Sequence, residues 1–198
     1  MKKSIIAIFL SAFFLSANAQ TIRIESGVGI SSMRPNEPLN WFTKNVFSPA
    51  TQIGIDYWEN RFFYLSSRIS YVSRGGTDVV TLREYTIDLN GTSSFIHLGT
   101  TFRTRLPLER FDVFAGVGPF VGFQVGSNYF YGWGTNNPVL FGITPEFGFD
   151  FLLTESLSLG FNFVYNHSFT PMIRQHAFAG TMYNNFSAFF FSLGYRFR

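Results

Sequence analysis

The feature that most constrains this chain is where its charges fall within runs of alternating residues. In the run Ile22 to Ile30, the apolar residues Ile22, Ile24, Val28 and Ile30 alternate with Arg23, Glu25, Gly27 and Gly29. In a second run, Leu157, Leu159, Phe161, Phe163 and Tyr165 alternate with Ser158, Gly160, Asn162 and Asn166. A period of two means strands with two unlike faces. Five such segments carry two charges each: Arg23 and Glu25, Arg68 and Arg74, Arg103 and Arg105, Glu146 and Asp150, Arg196 and Arg198. Both members of every pair lie on the same parity, an agreement that chance gives about once in 32. The single charges Asp56 and Asp112 fall on the less apolar parity as well.

Extended along the chain, this pattern predicts eight strands, at 21 to 33, 50 to 58, 62 to 74, 94 to 106, 111 to 125, 139 to 151, 157 to 167 and 185 to 198. The connections alternate between long (Arg34 to Pro49, Gly75 to Ser93, Gly126 to Pro138, Ser168 to Asn184) and short (Glu59 to Arg61, Pro107 to Arg110, Leu152 to Ser156). Long and short connections therefore gather at opposite ends. This is the pattern of an all-β, eight-stranded antiparallel up-and-down transmembrane barrel, with short periplasmic turns and long outer loops.

A soluble barrel or sandwich would use the same alternation with the apolar parity turned inward. Three features favour lipid. The apolar parity holds Phe141, Phe147, Phe149, Phe151, Phe189, Phe191 and Phe197, too bulky as a set for a small barrel's interior. The other parity is rich in glycine (Gly116, Gly118, Gly122, Gly142, Gly148, Gly160, Gly194), as a crowded lumen requires. Tyr57, Trp58, Phe111, Tyr71, Tyr165 and Tyr195 lie toward strand ends, where interfacial girdles belong. Pro119 and Pro145 fall inside predicted strands, and β-bulges are expected at both.

Composition agrees. Only 14% of the 198 residues are charged, against roughly 25% in soluble domains. The chain has no cysteine, which excludes disulfides, thiol nucleophiles and cysteine-bound metals. Met1-Lys2-Lys3, the apolar run Ile5 to Leu15 and Ala17-Asn18-Ala19 read as a secretory signal peptide over residues 1–19, leaving a barrel domain at 20–198. Without Lys2 and Lys3, the 15 basic residues fall to 13 against 12 acidic ones. Nucleic-acid binding then has little support.

Phe111 to Gln124, FDVFAGVGPFVGFQ, resembles the PorT-like outer-membrane β-barrel family of Gram-negative bacteria. The strand Ile96 to Leu106, the segment Tyr71-Val72-Ser73-Arg74-Gly75-Gly76 and the aromatic last strand Phe189 to Phe197 are similar to it too. The resemblance implies an eight-stranded barrel in the cell outer membrane, in a family some of whose members are linked to protein secretion. Assembly machinery commonly reads a final aromatic residue, and here Arg198 follows Phe197.

Eight strands enclose only enough room for side chains. Arg23, Arg68, Arg103, Arg105 and Arg196 are therefore expected to pair inside with Glu25, Asp56, Asp112, Glu146 and Asp150, in a network of structural role. Tyr129, Phe130, Tyr131 and Trp133, in the third long connection, form an aromatic cluster that suits either a contact site or the outer girdle. Asn90-Gly91-Thr92 reads as a turn. The histidines His97, His167 and His176 have no metal-ligand spacing, so no metal or cofactor is expected. Asn166-His167-Ser168 is similar to the histidine and serine of lipid A deacylase barrels, but in those enzymes one residue separates the pair, whereas here the two are adjacent and point to opposite faces.

The leading expectation is a small, non-enzymatic outer-membrane barrel serving as an envelope structural or accessory component. Its expected partners are outer-membrane lipid, the barrel-assembly machinery during insertion and an envelope or secretion-complex protein. A lipid-modifying enzyme of the deacylase type and a narrow small-solute channel are the alternatives. The mature chain should require detergent to stay dispersed, which sedimentation with and without detergent measures directly. A monomer soluble in plain buffer would reverse the assignment of inner and outer faces.

Overall fold

The computed structural model describes residues 19–35, 44–82, 85–128, 135–176 and 180–197. Most of the expected leader, Tyr129, Phe130, Tyr131, Trp133 and Arg198 lie outside the described residues.

The alternating segments fold as eight long antiparallel strands. In chain order the elements are β1 (Ala19–Pro35), β2 (Val46–Tyr57), β3 (Phe63–Leu82), β4 (Tyr85–Leu108), β5 (Phe111–Asn128), the two-residue β6 (Thr135–Asn136), β7 (Val139–Leu152), β8 (Leu157–Ser168), the short β9 (Ile173–His176) and β10 (Gly180–Arg196). The long strands pair in the order β1-β2-β3-β4-β5-β7-β8-β10, and β10 pairs back onto β1 from Thr21↔Arg196 to Pro35↔Met182. That last ladder closes the ring, so no long strand presents an open edge along its length in the wall. β9 pairs with β10 and β6 with β9, adding a small flap at the end where the long connections emerge.

Burial follows parity. Along β7 the residues alternate exposed and buried from Val139 through Asp150. The outer wall is hydrocarbon-like. Phe147, Phe149, Phe161, Phe163, Phe189 and Phe191 pack ring against ring across β7, β8 and β10, with centroids 4.9 to 6.0 Å apart. Ile24, Ile53, Ile69 and Leu106 carry the apolar face around the other strands, each about half exposed. Trp58 at the β2–β3 turn is 76% exposed, with Phe111 and Tyr195 at the same end and Tyr71 toward the other. A soluble protein does not cover itself this way, and the position of an aromatic belt is where such residues are stable.

Two expectations need correction. The connection Gly75 to Ser93 is a β-ribbon rather than a loop: β3 and β4 remain paired from Gly75↔Thr92 up to Leu82↔Tyr85. Asn90-Gly91-Thr92 consequently lies inside β4, opposite Thr77, Gly76 and Gly75, and is not a turn. The two backbones approach so closely there that a β-carbon at Gly75 would collide with the Gly91 carbonyl. Glycine here serves close approach instead of chain reversal.

The prolines also behave differently from expectation. β5 and β7 run in unbroken register through Val117↔Pro145 and Pro119↔Ile143. Pairing merely lapses on the far side of each proline, between Gly99↔Phe120 and Phe102↔Val117, and between Ile143↔His167 and Glu146↔Val164. No bulge forms at either; the shift in the β4–β5 ladder lies between Ser94 and Phe95. Gly118, beside Pro119, lets the Thr100 carbonyl close in where the proline offers no donor, and a β-carbon there would overlap that oxygen. Gly118→Ala should therefore destabilise the barrel by roughly 1 to 3 kcal/mol, the usual cost of overpacking. Urea titration of the refolded protein, with Gly126→Ala as the control in open surroundings, measures it.

Candidate functional site: the lumen

The inward parity fills the ring in layers. At the base, where the turns are short, Glu59 of the β2–β3 turn accepts hydrogen bonds from Arg105 on β4 and from Arg196 on β10, the latter at 3.0 Å. Arg105 also donates to the carbonyls of Asn60 and Arg61, at 2.9 and 3.2 Å. Asp112 is only loosely associated, 3.9 Å from Arg105.

Above this, Arg23 leaves β1 and bridges Asp56 on the neighbouring β2 and Asp150 on β7, each at 2.5 Å. Because β7 is not adjacent to β1, this guanidinium crosses the barrel. Glu146 of β7 is the next centre. Arg103 grips it with Nε and Nη2 at 2.7 and 2.9 Å, Arg68 approaches at 2.6 Å, and Thr101 donates its hydroxyl at 2.5 Å. Arg103 lies over the Phe114 ring, 4.4 Å from its centroid. All of these charged groups are buried, so each depends on its partners to offset lost hydration.

Glu25 departs from the expected pairing. Among the described residues it has no guanidinium within ion-pair reach. Its carboxylate accepts from the side-chain amides of Gln52 and Asn162, the second at 3.4 Å, and Asn162 also reaches Glu146 at 3.4 Å.

Higher still, polarity thins. His97 stacks on Phe120 with centroids 5.1 Å apart and faces Asn166, and Arg74 spans from β3 to Ser168 on β8 at 2.9 Å. The outer mouth is apolar: Met33, Phe95, Leu140, Met172, Ile173 and Met182 are all buried in one cluster. All three methionines beyond Met1 meet there, and methionine's flexible side chain suits an irregular gap.

The structure thus brings Arg23, Asp56 and Asp150 together, joins Arg68, Arg103 and Glu146, and holds Arg105 and Arg196 on Glu59. Sequence reasoning missed Glu59, because a lone acid in a three-residue turn carries no parity. It also left out Arg74 as a site residue although its parity marked it as inward. The layering was not foreseen either, though the inward residues of β10 pass from Gly194 and Ser192 to Phe190, Phe186 and Met182. His167 and Ser168 lie on opposite sides of the wall: Ser168 is buried against Arg74, while His167 sits half-exposed between Tyr165 and Phe169. Among the described residues no cluster of three metal-ligating side chains occurs.

Glu146→Gln should cost about 3 to 5 kcal/mol, because two buried arginines lose their shared counter-charge. Replacing Arg68, Arg103 and Glu146 together with apolar residues of similar volume should cost less than that single change. Equilibrium urea unfolding in detergent ranks the two variants.

No protein family matches this chain, and no curated relative does. Solved structures do. The chain is similar to the outer membrane protein OprG from Pseudomonas aeruginosa, with a TM-score of 0.61 and 11% identity, covering 91% of this chain and 97% of that one. It is similar also to Neisserial surface protein A, with a TM-score of 0.54 and 9% identity, covering 89% and 97%. At such identities the likeness concerns the fold, which is that of the small outer-membrane barrels.

Proposed function

We propose that this protein is a closed, non-enzymatic barrel of the Gram-negative outer membrane, exported by its N-terminal leader, which works through its rims as an envelope structural or accessory component. The observation that carries this reading is the filled lumen. Arg23 ties β1 to β7, Arg68 ties β3 to β7, and Arg74 ties β3 to β8. Above them, among the described residues, an apolar cluster fills the outer mouth. A small-solute channel would need a continuous polar passage, and ion conduction would require charges free to exchange partners.

What remains available to another molecule is the exterior. The paired ribbon from Thr77 to Asn90 extends beyond its neighbours: β5 pairs with β4 only as far as Thr92↔Asn128, and Lys44↔Thr77 marks the last described contact on the other side. A ribbon whose two edges have no strand partner among the described residues, held above the wall, is suited to contact a second envelope protein by main-chain pairing. Kinship with PorT-like barrels is part of this reading. Its support is the Phe111 to Gln124 segment, which folds as the glycine-bearing β5 beside Arg103 and Glu146.

The lipid-modifying alternative loses its main support, since the wall separates His167 from Ser168. Planar-bilayer recordings of the purified barrel should show no steady conductance, and affinity capture from detergent-solubilised outer membranes should recover a stoichiometric protein partner that is lost when residues 77–90 are shortened to a tight turn. Sustained single-channel steps, or capture unaffected by the shortened ribbon, would count against the reading.

A further inference from the structure

We infer that the outer wall carries a binding site for one phosphorylated glycolipid of the outer leaflet, of the lipid A type, where the upper ends of β8, β10 and β1 meet. The buried cation Arg74 is enclosed between the rings of Phe120 and Phe186, so it is closed to a ligand from outside. The wall carries cations that a ligand can reach. Arg34, near the end of β1, is exposed and stands on the outward parity with Ile24, Val28 and Ile30. It lies opposite Tyr183 and donates Nη2 to the Asn185 side chain at 3.1 Å. Asn185 in turn lies opposite His167 on β8. The His167 imidazole is half-exposed on the same outer surface, stacked on Tyr165 and edge-on to Phe169. Arg174, exposed on β9, borders the first residues of β10. The upper end of β10 thus has an arginine on either side and an imidazole one step below.

This positive charge is not answered on the wall. The outward rows of β1, β2, β7, β8 and β10 contain no aspartate or glutamate. Among the described residues neither Arg34 nor Arg174 is within ion-pair distance of a carboxylate.

Depth decides what can answer it. A cation is strongly disfavoured at the bilayer midplane and tolerated near the interface, and Tyr165 and Tyr183 mark the interfacial level on these strands. The long connections place this end on the side of the outer leaflet. An anionic headgroup there arrives with acyl chains, and the same strands supply their bed. Phe163 packs on Phe189 with centroids 4.9 Å apart, and Phe161 on Phe191 at 5.7 Å, directly below the cations. Asn185 and Phe189 are about 13 Å apart along the strand, at roughly 3.3 Å per residue. A lipid whose headgroup meets Arg34 therefore lays its chains along the aromatic ladder. Guanidinium forks bind phosphate through paired hydrogen bonds. β1 and β9 flank β10 at about 10 Å from each other, two strand spacings, so both arginines can reach one headgroup. The two phosphates of a diphosphorylated sugar headgroup answer both arginines, whereas a phosphodiester lipid brings one charge. The site needs only the barrel and is independent of any protein docked on the ribbon.

The test uses the mature barrel folded in detergent, with EDTA present so that divalent ions cannot bridge. Native mass spectrometry follows its mixtures with diphosphoryl lipid A, dephosphorylated lipid A or phosphatidylglycerol. One diphosphoryl lipid A per barrel should be retained, at least about tenfold more tightly than either of the others. Arg34→Gln and Arg174→Gln should each weaken retention by about tenfold, while Arg61→Gln, at the exposed base turn, should leave it unchanged. Both arginines are exposed, so each variant should keep the urea midpoint of the parent barrel, which separates lost binding from lost folding. Equal retention of the dephosphorylated lipid, phosphatidylglycerol held as tightly as lipid A, or retention unchanged in both Arg34→Gln and Arg174→Gln would each overturn the inference, whatever partner capture through the ribbon shows.

Discussion

Each of the eight long strands separates two media along the wall, and a strand can do so because successive side chains leave it on opposite sides. A cation turned toward the middle of a bilayer costs roughly 2 to 4 kcal/mol, whereas a whole domain is commonly stable by only about 5 to 15 kcal/mol. A slip of one residue in a single strand would expose its entire charged set. The barrel is therefore specified less by any one contact than by the prohibition on such a slip, imposed on eight strands and made mutual by ring closure. The phenylalanine ladder across β7, β8 and β10 and the ion pairs behind it are two consequences of that one rule.

The same rule explains how much of the architecture was legible from residues alone. Strand number, chain order, antiparallel sense and the inward set containing Arg23, Asp56, Arg68, Arg103, Glu146 and Asp150 all follow from parity, which is local. Features that depend on what one strand meets on another were not legible. Asn90-Gly91 has the composition of a turn, but Gly75 and Gly76 lie opposite and allow the ribbon to continue. Pro119 and Pro145 argue for bulges when each strand is considered alone. Together, with the glycine at 118 absorbing the close approach of Thr100, they leave the register intact.

The site shows the same division. Which residues face inward could be read; which acid meets which arginine could not, because partners such as Arg23 and Asp150 are 127 residues apart and are set by the tilt and stagger of the closed ring. Glu59 could be identified as a hub only after the β2–β3 turn was seen to tuck beneath the ends of β4 and β10. Glu25 shows that the number of charges does not determine the pairing: two amides suffice to hold that carboxylate, and Arg74, at another level, meets no acid among the described residues.

The vertical order of the lumen has a mechanical consequence. Toward the base, Glu59 and Glu146 are each shared by two arginines, and removing either carboxylate leaves two cations without their counter-charge, so these layers resist piecemeal rearrangement. At the outer mouth, cohesion comes from methionine, leucine and phenylalanine side chains, which tolerate exchange of neighbours at modest cost. Stiffness thus diminishes from the short-turn end toward the end that carries the ribbon and the β6–β9 flap. A barrel graded in this way can keep its wall register while its outer rim adjusts, and Arg74, tethered by one hydroxyl between two rings, marks the level at which the lumen changes from one regime to the other.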